Sequence, residues 1–265
     1  MITLYKFPRV WGLPCMSPYC LKVESYLRLR RLDYRVEIGD LRSAPRGQLP
    51  WVAVDGREIG DSTRILDYLE ARSPDPLDAG LSATERALGW SVQRTLEEST
   101  VWALRYQRFV EPVAWRDTKL VVQQILPAAL RPFLPALIRR QMQQALRAQG
   151  AGRHDAQGIY DLARRDFDAA ASALGDKPFL AGGRVRSFDL SLFGLVASFS
   201  CATARSPVTE HLLELDNLLA HHERMRQLCF PEMPSWVASR LAASTGRDAA
   251  RAAVNQFAGA QASLN

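Results

Sequence analysis

Apolar and polar residues alternate at strand spacing in residues 2–7 of this chain, residues 34–40 and 50–61 read as further short strands, and from Ser82 onward the apolar residues recur only at helical spacing. The change of period limits the fold. The first part predicts a strand, a helix over 18–32, a strand in "YRVEIGD", and two short strands joined at Asp55-Gly56, a hairpin-type turn. A helix follows in "STRILDYLEARS", with Ser62 as its expected cap. This order makes one small mixed sheet over residues 1–73. After a proline-containing linker, 74–81, the long periodic segments from Ser82 predict an all-helical domain over 82–243. The fold class expected is therefore α/β followed by all-α, and the alanine-rich tail 244–265 is expected to be flexible.

With 265 residues, 47% of them hydrophobic, the chain can bury a substantial core. "MITLYKFP" enters the alternating pattern at once, without the charged and continuously apolar regions of an export signal, and four cysteines are too few for a disulfide scaffold. A cytoplasmic protein with its cysteines as thiols is the expectation. The net charge of +6 permits an anionic partner. Its arginines look dispersed, and the densest run, "RLRRLDYR" (28–35), interleaves with leucines as the solvated face of a helix would. No nucleic-acid motif accompanies it.

The longest apolar run, "LVVQQILPAALRPFLPALI" (120–138), has the length of a membrane span but contains Arg131 and the prolines 127, 132 and 135. No transmembrane segment is expected; a kinked helix or helical pair on the core or at a dimer interface is. His154, His211, His221 and His222 are scattered and make no metal site with a single Cys-x4-Cys pair, so no metal is expected. His221-His222 is expected to decorate a polar helix.

The segment "CMSPYC" (15–20) lies between the first strand and the first helix. Proline disfavours helix in the residue before it and suits the first helical position, so Ser17 should be the N-cap and Pro18 should open the helix. The Ser17 hydroxyl would then lie beside free N–H groups and the positive end of the helix dipole, where a thiolate or carboxylate is stabilised. Ser17 can be a cap alone, or a cap that also donates its O–H to a ligand's sulfur; the two are compatible.

"SPYC" resembles the glutaredoxin active-site sequence with its leading cysteine replaced by serine. "GQLPWVAVDGREIGDSTRILDYL" is similar to the second half of the amino-terminal domain of glutathione transferases. The match continues through "ERALGWSVQRTLEESTVWALRYQRF" and "DLSLFG", so that over roughly residues 2–241 the chain resembles the failed-axon-connections and metaxin-like branch of the glutathione transferase superfamily. The resemblance implies a thioredoxin-like amino-terminal domain that binds glutathione as co-substrate, a helical domain, and a homodimer. It implies a cis Leu49-Pro50 bond, with the Leu49 main chain facing the tripeptide as an added strand would. It also implies recognition of the γ-glutamyl group by Asp61, suited to the ammonium, and Ser62, suited to the carboxylate. Ser17 would activate the glutathione thiol for attack on a small electrophile.

The family often has Glu or Gln where this chain has Asp61, which alters reach by one methylene. The Ser/Thr-x-x-Asp capping box of the family's core helix is changed, since Arg186 stands three residues before Asp189; Ser187 is expected to cap from a shifted register. Trp11, Trp102, Arg105 and Tyr106 are candidates to line the electrophile pocket, and Tyr5 is expected to pack in the core. Two rival functions remain: a thiol oxidoreductase using Cys15, if exposed, or Cys20, and a non-catalytic binding or assembly module of the metaxin kind. Cys20 shares a helix face with Val23 and Leu27 and is expected to be a packing thiol.

Overall fold

The structure is a computed structural model and describes residues 1–201 and 204–235. The tail expected over 244–265 lies outside the described residues. Strands β1 (Ile2–Lys6), β2 (Tyr34–Ile38), β3 (Trp51–Val54) and β4 (Arg57–Gly60) form one sheet in the order β2-β1-β3-β4. β1 runs parallel to β2, and the β1–β3 and β3–β4 pairs are antiparallel. The turn at Asp55-Gly56 places both residues at positive φ, 51° and 70°, as a tight hairpin requires. Tyr5 pairs with Trp51 across the ladder and their rings stack at 3.7 Å, so Tyr5 is a packing residue.

Helix α1 (Pro18–Leu29) connects β1 to β2, and α2 (Ser62–Glu70) follows β4. α1 ends three residues earlier than the apolar pattern predicts. Arg31 adopts φ 51°, and the Leu32 and Arg31 N–H groups donate to the Leu27 and Arg28 carbonyls, a Schellman ending built with arginine where glycine is usual. Arg28 and Arg30 thus flank the end of the helix; Arg28 pairs with Glu232 at 2.6 Å.

The helices that follow are α3 (Ala83–Thr95), α4 (Val101–Phe109), α5 (Pro112–Ile125), α6 (Leu134–Gln149), α7 (Ala156–Leu174), α8 (Ser187–Ser200), α9 (Pro207–Leu212) and α10 (Asp216–Cys229). A π-helical turn, Leu96–Thr100, joins α3 to α4. The apolar run 120–138 becomes the end of α5, a loop holding Pro127 and Pro132, and the start of α6, where Pro135 sits in the first turn. No helix among the described residues is long and apolar enough to cross a membrane.

α8 is the central helix, buried from Phe188 to Ser200, and it packs on α1. Contact is close because residue 194 is glycine: a Cβ there would stand 2.6 Å from the Pro18 carbonyl oxygen. The cap of α8 differs from the expected one. Arg186 is the N-cap and has no side-chain acceptor, while Ser187 is already the first helical residue. Asp78 of the linker supplies the missing acceptor, taking the Ser187 N–H at 2.9 Å and its hydroxyl at 2.6 Å. Arg186 in turn donates to the Leu77 and Ala79 carbonyls. Asp189, fully buried, accepts the N–H groups of Arg186 and Leu180 and bonds His221 Nε2 at 3.0 Å.

His221 and His222 do not decorate a polar helix. Both are fully buried, because α10 packs against α8, with His222 stacked on Phe193. Burial pushes the His222 imidazole down to about 3, so it is neutral.

Candidate functional site

Sheet register brings the candidate residues to one end of the sheet. Tyr5 pairs with Trp51, and Trp51 with Gly60. The chain leaving β1 at Lys6, the chain entering β3 through Leu49-Pro50, and Asp61 after β4 therefore emerge side by side. The Leu49–Pro50 peptide bond is cis. The Leu49 side chain packs inward against Gly39, where any Cβ would stand 2.4 Å from a Leu49 methyl carbon. Among the described residues, no hydrogen bond uses the Leu49 N–H or C=O.

At α1, Ser17 is the N-cap in extended conformation (φ −93°, ψ 125°) and Pro18 is the first helical residue. Ser17 Oγ accepts the Cys20 N–H at 3.4 Å, and the Ser17 carbonyl accepts the Leu21 N–H. Pro18 has no N–H, which leaves the Tyr19 N–H as the donor of this first turn that no described hydrogen bond takes up. The Tyr19 hydroxyl donates to the Glu97 carbonyl at 2.7 Å. Burial raises its pKa, while Arg105, Glu97, Glu98 and Asp61 all act on it electrostatically.

At α2, the cap is Asp61, one residue before the expected Ser62. Its Oδ1 accepts the N–H groups of Thr63 and Arg64 at 3.0 and 3.1 Å, and its carbonyl accepts that of Ile65. Oδ2 takes part in neither bond. Ser62, buried at the first helical position, keeps its N–H out of the described hydrogen bonds. Asp61 holds φ 83°, a backbone region costly for a residue with a Cβ and found preferentially at binding sites.

Two thiols lie beneath Ser17. Cys15 and Cys20 are fully buried, and the Cys15 sulfur accepts the Ser17 N–H at 3.4 Å. Burial opposes ionisation of Cys15, but the hydrogen bond from Cys20, the Lys6 ammonium and the Ser17 N–H together hold its pKa below the ordinary thiol value. Burial and the facing Cys15 push Cys20 well up. Cys15 is thus not the exposed thiol that a mixed disulfide needs, and Cys20 is a packing thiol. Among the described residues no group of three or more His, Cys, Asp or Glu side chains is placed to hold a metal.

Three buried charges support the site that the pattern of residues does not announce. Lys6 donates to Glu24 at 2.5 Å and to the Pro14 carbonyl at 2.7 Å, fixing the loop before Ser17. Lys22, on α1, donates to Glu97 at 2.8 Å and to Thr63 of α2 at 3.0 Å, and Ser191 of α8 joins at 2.7 Å, tying both site helices to the helical domain. Arg108, buried on α4, donates to the Met16 carbonyl at 2.6 Å and the Ser198 carbonyl at 3.3 Å, with its guanidinium 5.1 Å from the Trp11 ring. Burial pushes Arg108 down to about 10. Of the expected pocket residues, Trp11 lies in this loop, whereas Tyr106 packs edge-on to Tyr160 and Arg105 sits 4.2 Å over the Trp102 ring.

The thioredoxin-like domain with a helical domain attached, and a capped helix start beside a cis-proline edge, define the architecture of a glutathione transferase. Family models agree: "Glutathione S-transferase N-terminal domain" matches residues 18–114 and "Glutathione S-transferase, C-terminal domain" residues 163–225. The chain is 31% identical over 236 residues to the isoprene-epoxide–glutathione S-transferase of Rhodococcus sp. (strain AD45), covering 86% of this chain and 98% of that one. It is 31% identical over 245 residues to Failed axon connections of Drosophila melanogaster, covering 88% of this chain but 59% of that longer protein. Metaxin-3 of Xenopus laevis is 25% identical over 218 residues, covering 78% of this chain and 70% of that one. Among solved structures, the β-etherase LigF of Sphingobium sp. strain SYK-6 shares the fold at TM-score 0.61 and 16% identity, covering 91% of this chain and 98% of that one. The chain belongs to the glutathione S-transferase family. Within it, the chain falls in the metaxin-like branch.

Proposed function

We propose that the chain is a glutathione transferase in which Ser17 stabilises the glutathione thiolate and a small electrophile is attacked by that sulfur. The observation that carries this reading is the gathering, at one end of the sheet, of three recognition elements that the described hydrogen bonds leave open: the Leu49 main chain, the Ser62 N–H with the second Asp61 oxygen, and the Ser17 hydroxyl with the Tyr19 N–H. An extended γ-glutamyl peptide supplies the complement to each: a main-chain amide, a carboxylate beside an ammonium, and a sulfur. On binding, the thiol proton leaves to solvent, and the Ser17 O–H and the partial positive charge of the α1 terminus hold the thiolate. The sulfur then forms the new C–S bond while the electrophile's leaving group departs or its strained ring opens. Small epoxides are the first electrophiles to test, given the name of the Rhodococcus relative.

The same reading takes residues 1–73 as the glutathione-binding domain, 82–243 as the helical domain, and a cytoplasmic homodimer as the working form. Leu88 and Trp90, exposed on α3, are available for the dimer contact. A second reading, a non-catalytic module, is favoured by one observation, that Ser17 is only 9% exposed.

Calorimetry with glutathione and conjugation assays on a panel of epoxides and activated aryl halides test the proposal. Saturable binding, with turnover lost in Ser17→Ala and kept in Cys15→Ser, is the expected result. No binding at millimolar glutathione would favour the module, and a harmless Ser17→Ala with an inactive Cys15→Ser would replace the mechanism by thiol exchange.

A further inference from the structure

The chain's positive charge is not dispersed when counted by element. The hairpin made by α5, its loop and α6, residues 112–149, holds six basic residues (Arg116, Lys119, Arg131, Arg139, Arg140, Arg147) against the single acid Asp117. That leaves 28 basic and 27 acidic of the chain's 34 and 28, so nearly all of the net +6 sits on this one hairpin.

The tip of the same hairpin is apolar and exposed. Pro127 to Phe133 lie in solvent without interruption, Leu130 and Leu137 are about half exposed, and Phe133 is 77% exposed, the most exposed large apolar side chain after Met1 among the described residues. On α5, Val113 and Leu120 continue the exposed apolar surface, seven residues apart and so on one helix face, with Arg116 between them. Arg131, in the tip, donates to the Leu126 carbonyl and braces the loop. None of this surface belongs to the glutathione site, and among the described residues nothing packs over the hairpin's outer side.

We propose that this hairpin docks on an anionic lipid surface, with Phe133 and Leu130 entering the headgroup region and Lys119, Arg131 and Arg140 facing lipid phosphates. A protruding aromatic and aliphatic tip between cations is the pattern of an interfacial anchor. Two other occupants fit less well. A second copy meeting this face would oppose two patches of the same strong positive charge. A nucleic acid would meet a tip of proline, alanine, leucine and phenylalanine with Arg131 as its one cation, where it needs several cations and hydrogen-bond donors. The hairpin is joined to the site, since Val121 of α5 packs with Val10, Met16 and Trp11 of the loop before Ser17. Docking would therefore place the electrophile side of the enzyme at a membrane, where apolar electrophiles concentrate.

The test is flotation of the full chain with vesicles of phosphatidylcholine alone and with one third phosphatidylglycerol. Binding to the anionic vesicles only, weakened at least tenfold by 0.5 M salt and by Phe133→Glu or Leu130→Glu, with a lesser loss in Arg140→Glu, is expected. Unchanged melting temperature and glutathione titration in each variant keep misfolding apart from loss of docking, and also keep this proposal apart from the assignment of the glutathione site. It is overturned if no anionic vesicle binds, or if binding survives the tip variants. It is equally overturned if those variants dissociate a dimer or release a nucleic-acid probe while vesicles are ignored.

Discussion

The Pro18 carbonyl oxygen lies 2.6 Å from the point where a Cβ on Gly194 would stand, so the start of the helix that carries Ser17 rests directly on the backbone of the central helix. Backbone cannot swing aside as a side-chain tip can. Gly194→Ala should therefore push α1 from α8 and destabilise the protein by about 1–3 kcal/mol, the usual range for overpacking. A lower melting temperature together with weaker glutathione binding is the expected pair of results, because the displaced atom is one residue from the cap. Calorimetry and a thermal melt of the one variant check both.

Asp61 has two separable tasks. Its Oδ1 caps α2, and in the proposed complex its charge meets the glutathione ammonium. Asp61→Asn keeps an acceptor and should hold the melting temperature while lowering glutathione affinity several-fold. Asp61→Ala should lower affinity and stability alike, with about 0.5–2 kcal/mol lost from the cap. If Asn and Ala weaken binding by the same factor as they lower stability, the charge has no separate role.

Lys22 and Glu97 form a buried pair across the two domains, 1% and 4% exposed. Removing one partner strands a charge, so Glu97→Leu should cost about 3–5 kcal/mol. Lys22→Met in the same chain should restore a good part of it, since two apolar side chains need no counterion. A double-mutant cycle by urea denaturation measures the coupling, and additive losses would contradict it.

Burial pushes the His222 imidazole down to about 3, below the 6.5 of an exposed histidine. The unfolded state then binds the proton that the folded state refuses. Stability is full above about pH 6.5 and falls as the pH drops from there toward 3, by roughly 1.4 kcal/mol per unit from this one group. Thermal melts between pH 8 and 5 should show the loss. His222→Phe, which preserves a ring against Phe193, should flatten it relative to the parent chain.

Arg108 reaches the Met16 carbonyl from α4 and holds the loop next to Ser17. Arg108→Met should leave that carbonyl without its donor. Faster amide exchange in residues 10–17 and a raised KM for the electrophile are expected, with secondary structure intact by circular dichroism. Unaltered exchange in that loop would show that the loop holds itself.

The local parts of this fold were legible because their signals are local. The Ser17-Pro18 pair predicts an N-cap and first helical residue, and Asp55-Gly56 predicts a hairpin turn; both are where the residues say. The end of α1 was not legible, because Arg31 takes a left-handed conformation that sequence reserves for glycine. Lys6, Lys22, Arg108, His221 and His222 were missed for one shared reason. Each is a polar letter that looks solvent-facing, and each is buried only because its partner, such as Glu97 for Lys22 or Asp189 for His221, arrives from a distant part of the chain. Cys15, a thiol-exchange candidate only if exposed, is buried for the same reason, since the loop carrying it is covered from the helical side by α4 and α5.

Asp78 ends the backbone of α8 from outside the helical domain's own sequence, and Arg186 grips the carbonyls on either side of it. The stretch between the domains is consequently a working part of the second one. A chimera that swapped the amino-terminal domain for a homologous one at residue 82 would strip the central helix of its stopper, whereas a joint made before Pro76 would carry it along.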